Sequence, residues 1–195
     1  YYDIIFLTLG KSVMKKLALL SLALLMAGCT VVNFQYTPEG ESIAVTEAER
    51  ILMHLGDVSV NIASDAPSDD FFFNLENKNH FEAEFKSMFA KALQESLDQS
   101  QLFNGTKREA NLKATVLKFS QLSIGLHFPT IMEVNYQLVD ATTGRVLFNQ
   151  DIRTEAEAPL KVSYLGTARA IDARNLTARQ NIRQLLEALK KANIR

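Results

Sequence analysis

Residues 110–157, ANLKATVLKFSQLSIGLHFPTIMEVNYQLVDATTGRVLFNQDIRTEAE, decide the fold. Leu112, Ala114 and Val116 alternate with Lys113 and Thr115 in a first run that extends to about Ser123. Met132, Val134, Tyr136 and Leu138 alternate with Glu133, Asn135 and Gln137 in a second, and Val146, Phe148, Gln150, Ile152 and Thr154 keep the same period in a third. Successive strand side chains point to opposite faces, so a period of two marks strands with one face on a core. Gly125 and Pro129 break the first run from the second, and Asp140-Ala-Thr-Thr-Gly144 is a tight turn. Connections this short leave no room for a crossover, so the three strands read as an antiparallel meander.

On both sides of the meander the period changes to that of a helix. Phe81, Phe85, Met88, Phe89, Ala92, Leu93 and Leu97 form one apolar stripe along His80–Gln101, and Asn104-Gly105 follows as a stop. A phenylalanine-rich stripe of this kind is a core face. A longer helix spans about Gly166–Ala192, with Ala168, Ile171, Asn175, Ala178, Ile182, Leu185, Leu186 and Leu189 on its apolar side. Upstream, Asp57–Ala63 alternates as a strand. Thr46-Glu47-Ala48-Glu49 has the form of a capping box, predicting a short helix over about 46–55 stopped by Gly56. Two amphipathic helices with stripes turned to one face of an antiparallel sheet predict an α+β, two-layer sandwich.

The chemistry of the sequence is sparse. A formal net charge of −1 gives no electrostatic case for nucleic acid. The histidines, His54, His80 and His127, stand apart from one another and from the single cysteine, so no metal site or cofactor is expected. They read as capping or surface residues. No Gly-x-Ser-x-Gly elbow or Gly-rich phosphate loop occurs. The neighbouring acids Asp69-Asp70 and Glu155/Glu157 are the kind that stay solvated in loops, and nothing selects a pair across a cleft. These observations predict a protein that is not an enzyme.

Two features remain as candidate partner-binding sites. Phe71-Phe72-Phe73 cannot all face one side of a strand, so the run is either packed between two apolar layers or presented as a partner-binding edge. Arg169, Arg174, Arg179 and Arg183 line the flanks of the last helix. Arginine binds phosphate and carboxylate bidentately, which would suit an anionic glycolipid or an acidic strip of a partner. The competing reading is a solvated face paired with Asp172 and Glu187.

The N-terminal stretch speaks to location. Lys15 and Lys16 precede a ten-residue apolar run, Leu17–Met26, followed by Ala27, Gly28 and Cys29. A basic start, a short apolar run and small residues before a cleavage point make a secretory signal, too short for a membrane span of about 20 residues. Met26-Ala27-Gly28-Cys29 resembles the lipobox of bacterial lipoproteins, in which the cysteine is lipidated, the preceding peptide removed and the new N-terminus acylated. Several acyl chains hold a protein stably where one holds it marginally. With Cys29 lipidated no disulfide is available. The resemblance divides the chain into residues 1–28, an upstream extension plus signal; 29–45, a lipidated N-terminus and tether; and 46–195, one periplasmic domain. Val31–Tyr36 fits either a tether or an edge strand. Thr30, where aspartate would retain a lipoprotein in the inner membrane, implies the outer membrane, facing the periplasm.

Residues 57–192 carry a second resemblance. The segments KALQESLDQSQLF (91–103), DATTGRVLF (140–148) and YLGTARAIDARNLTARQNI (164–182) are similar to small envelope lipoproteins. These include auxiliary components of envelope ABC transporters and assembly lipoproteins of the curli-secretion type. The resemblance implies a non-enzymatic accessory that binds other envelope components. The alternative is a lipid or glycolipid carrier whose pocket lies between helices and sheet, lined by the Phe-rich helix.

Overall fold

In the computed structural model, residues 35–38, 43–64, 78–121, 127–159, 166–192 and 194 are described, apart from the side chains of 78–81 and 167. They fall in one compact unit, Phe34–Arg195. Strand β1 spans His54–Ile62, helix α1 Lys78–Ser100, strands β2, β3 and β4 Glu109–Gln121, Thr130–Asp140 and Val146–Ala156, and helix α2 Gly166–Lys191. The strands lie in the order β1-β2-β3-β4.

The period-two runs pair antiparallel as expected, β2 with β3 and β3 with β4. In β3 every second residue from Thr130 to Asp140 is buried, so the helices cover one face of the sheet. The architecture is α+β in two layers. The sheet is mixed rather than wholly antiparallel, because β1 pairs parallel with β2. The cause is the intervening helix: α1 carries the chain back across the sheet, so β2 starts at the same end as β1.

Two bulges re-aim side chains. Between Val116 and Lys118 the β2–β3 register shifts, leaving Leu117 as the extra residue. Phe119 therefore turns to the helix side, with its ring centroid 5.1 Å from that of Phe85. In β1 the register shifts between Leu55 and Val58. Asp57 N donates to Asn111 Oδ1 at 2.9 Å, and a Cβ on Gly56 would come within 2.5 Å of that oxygen. Gly56 is thus a bulge residue, not a helix stop.

The helix expected over 46–55 is absent. The Thr46–Glu49 box does form, with Thr46 N and Oγ1 donating to Glu49 Oε2 at 2.8 and 2.7 Å. It caps only a single 3-10 turn, Glu47–Glu49. Beyond it Ile51, Met53 and Leu55 are buried while Leu52 is 69 % exposed, a period of two that extended backbone satisfies and a helix does not. Ile51 N donates to Leu102 O at 2.8 Å and Asn104 N to Ile51 O at 3.0 Å. Gly105 lies so close to Leu52 that a Cβ would overlap its backbone.

The segment expected as a tether is part of the domain from residue 35 onward. Tyr36 is 2 % exposed and meets Phe85 and Phe89 edge-on at 5.6 and 6.0 Å. Thr37 Oγ1 donates to Glu95 Oε2 at 2.8 Å, Gln35 N donates to Asn175 Oδ1 at 3.1 Å, and Ile43 joins the core. At the far end of α2, Lys190 Nζ donates to Ala44 O at 2.8 Å and lies 3.6 Å from Glu49.

Candidate functional site

The four arginines of α2 do not share one environment. Arg169 is 2 % exposed and Arg174 4 % exposed, whereas Arg179 is half-buried and Arg183 exposed. Arg169 sits over the Phe128 ring, 5.3 Å from its centroid, and its Nε and Nη2 are buried with no hydrogen-bond acceptor. Arg179 Nε reaches Asn175 O at 3.3 Å. The fully solvated face considered from sequence therefore fails for the first two. Cys29 and Phe71–Phe73 lie outside the described residues.

Between α2 and the sheet runs a polar seam that the sequence did not announce. Gln121 Nε2 donates to Thr130 Oγ1 at 2.7 Å and to Ala170 O at 2.8 Å. Thr177 Oγ1 donates to Ala173 O at 2.7 Å, and Thr154 Oγ1 to Thr177 O at 3.2 Å. Asn181 Nδ2 donates to Ile152 O at 3.0 Å and Thr154 Oγ1 at 3.1 Å, while Tyr136 donates its hydroxyl proton to Asn181 Oδ1 at 2.7 Å. Burial pushes the Tyr136 hydroxyl well above its ordinary value, so it stays a donor. The threonine hydroxyls of the seam are directed at main-chain carbonyls. That geometry holds the helix on the sheet and activates no oxygen for attack.

The signal for the seam was weak. Thr177 and Asn181 are spaced i, i+4 on α2, and Thr130 and Thr154 occupy inward positions of their strands. Between Arg169 and Asn181 α2 buries Ala170, Ala173, Thr177 and Asn181; Ala168 and Ile171, expected inside, are only half-buried. The expected Ala178, Ile182, Leu185, Leu186 and Leu189 are all core.

The remaining titratable groups are peripheral. His127 Nδ1 lies 2.7 Å from Glu157 Oε1 on the surface, and His54 is exposed at the start of β1 rather than at a helix end. The Asp140–Gly144 turn forms as expected. Asp140 Oδ1 accepts from Thr142 N, Thr143 N and Thr143 Oγ1 at 2.9–3.1 Å, Oδ2 accepts from Arg108 at 2.8 Å, and Gly144 takes φ +70°. The Arg108 guanidinium, then the Thr143 bonds, hold the Asp140 carboxyl well below the usual carboxylate range. Among the described residues no three or more His, Cys, Asp or Glu converge on a point that could hold a metal, and no helix is long and apolar enough to cross a membrane.

Phe85 stacks on Phe89 at 5.5 Å, and both meet Tyr36, so these rings of the Phe-rich helix pack on one another. Two concavities among the described residues lie away from them. One of about 510 Å³ runs between β4 and α2, flanked by Phe148, Ile152, Gln184 and Ala188; one of about 380 Å³ is lined by Arg50, His54, Leu97 and Asp98.

Comparison with known proteins returns structures, not families: no family model and no curated protein matches the chain. A DUF330-family protein from Xanthomonas campestris superposes with a TM-score of 0.56 at 14 % identity, covering 80 % of this chain and 95 % of that one. The likeness is one of fold. Looser similarity extends to a protein from Chlamydia trachomatis, with a TM-score of 0.48, 10 % identity and coverage of 72 % and 98 %. It also extends to a minor lipoprotein from Acinetobacter baumannii, with a TM-score of 0.41, 8 % identity and coverage of 69 % and 91 %.

Proposed function

We propose that the chain is a non-enzymatic lipoprotein of the Gram-negative envelope, anchored through Cys29, whose domain serves as an assembly or transport accessory by binding other envelope components. The observation that carries this reading is the lipobox, Met26-Ala27-Gly28-Cys29, directly after a ten-residue apolar run. The fold adds a consequence. Gln35, the first described residue, already bonds the domain through Asn175 and stands six residues beyond Cys29, and six extended residues reach at most about 22 Å. An anchor at Cys29 would hold the helix layer, where Gln35 and Tyr36 dock, close to the membrane rather than on a long leash. Thr30 supports the outer membrane as the destination. Exposed Arg183 and the Phe71–Phe73 run are the candidate contacts for a partner, together with Arg169, Arg174 and Arg179 of α2.

The test is processing. Globomycin, which blocks the lipoprotein peptidase, should shift the protein to a slower-migrating precursor, and Cys29→Ser should release it from the membrane fraction. Thr30→Asp should move it to the inner membrane on a density gradient. Unchanged migration under globomycin, with Cys29→Ser still sedimenting with membranes, would remove the anchor.

A further inference from the structure

Arg169 is 2 % exposed, and among the described residues no carboxylate pairs with it. Its Nε and Nη2 have no acceptor, and its neighbour is the face of Phe128. Leaving a buried guanidinium N–H unpaired is among the costlier arrangements a fold can hold. Helix polarity makes it costlier still. Arg169 lies on the first turn of α2, which begins at Gly166, and helical side chains lean toward the N-terminus. The Phe128 ring beneath the guanidinium also packs on Gly166, where a Cβ would stand 3.1 Å from the ring. Arg169 and Gly166 thus share Phe128 as a neighbour at the N-terminal turn of α2, whose first N–H groups have no intrahelical acceptor and carry the positive end of the helix dipole. Two kinds of positive charge meet at one corner, and no carboxylate of the described residues bonds the Arg169 Nε or Nη2.

A neighbouring acceptor is unpaired as well. Gln121 Nε2 donates to the carbonyl of Ala170, the residue after Arg169, yet Gln121 Oε1 is buried with no donor. A carboxylate would answer the cation and leave Gln121 unpaired. A phosphate group brings anionic oxygens for the guanidinium and the helix N-terminus, and a hydroxyl for Gln121: its own when free, the glycerol's in a lipid headgroup. We propose that Arg169, Phe128, Gln121 and the first turn of α2 form a phosphate-binding site, for free phosphate or for the phosphate of a lipid headgroup. The proposal does not rest on the envelope reading, since nothing in it requires Cys29. Because the polar atoms are covered, the corner opens locally to admit the anion, and binding registers as stability.

The test is thermal unfolding of the full chain in zwitterionic detergent. Chloride buffer would be compared with inorganic phosphate at matched ionic strength and with monomeric dihexanoyl phosphatidylglycerol. Ligand at tenfold its Kd should raise the wild-type Tm by about 3–6 °C. Arg169→Met should respond to neither probe, with a Tm in chloride at or above wild type, because an unpaired charge gives way to an apolar side chain of similar length. A rise with both probes makes phosphate itself the ligand; a rise with the lipid alone makes it a headgroup. No rise with either probe, or equal rises in wild type and Arg169→Met, would overturn the site. Should Arg169→Met fail to fold, the Arg169 Nε–H resonance of the wild-type protein decides. It should move on adding the effective probe and stay still in chloride, and an unmoved resonance overturns the proposal.

Discussion

The two helices of one layer are fastened to the same sheet by opposite means. Helix α1 buries Phe85, Phe89, Ala92, Leu93 and Leu97, a contact made almost wholly of hydrocarbon. The Arg169–Asn181 stretch of α2 buries Arg169, Arg174, Asn175, Thr177 and Asn181, and is held by directed hydrogen bonds. Hydrocarbon packing is strong and non-directional, so α1 depends on volume. A hydrogen-bonded seam adds little net stability per bond, but breaking one member leaves several buried groups unpaired, so α2 depends on geometry. The difference teaches where the chain has invested in register and where only in burial.

Phe89→Ala should show the largest effect. Removing a fully buried aromatic that stacks on Phe85 should cost about 3–5 kcal/mol in denaturant unfolding. Asn181→Ala should cost about 2–3 kcal/mol, because Tyr136, Thr154 and the Ile152 carbonyl all lose a partner. Tyr136→Phe, which strips one bond and keeps the ring, should cost about 1 kcal/mol. A double-mutant cycle with Asn181→Ala should then be strongly non-additive. If Asn181→Ala proves as mild as a surface change, the contrast between the helices collapses. Acid probes a region outside both helices. The folded-state pKa of Asp140 is depressed, so its contribution is present above its ordinary value of 3.8 and is lost as pH falls below that. Asp140→Asn should therefore flatten the fall of stability between about pH 4 and pH 2, measured by urea midpoints. The smallest effect is expected at exposed Arg183, where alanine should change stability by less than about 0.5 kcal/mol.

The parts legible in the sequence were those with unbroken periods. The alternation of β3, the stripe of α1 and the Asp140–Gly144 turn all follow from residue order alone. Gly56 and the Ile51–Leu55 run were misread because Ile51, Leu52, Met53 and Leu55 beside a genuine capping box fit a helix as well as a strand. Only the long-range pairing of Ile51 with Phe103 decides between them. The parallel edge was hidden because β1 carries no mark of its partner's direction. The burial of Thr177, Asn181 and Arg169 was hidden for a stronger reason: polar residues on a helix read as solvent-facing until the groups packed against them are known. The anchor and Phe71–Phe73 remain readings of sequence, since Cys29 and that run lie outside the described residues.

In-cell crosslinking tests the accessory role most directly. A photo-reactive residue would replace Phe72 in one strain and Arg183 in another, each with and without Cys29→Ser. The account predicts that one envelope protein is captured from at least one site, and that capture is lost when Cys29→Ser frees the domain from the membrane. Normal levels of anchored protein with no crosslink from either position would contradict it.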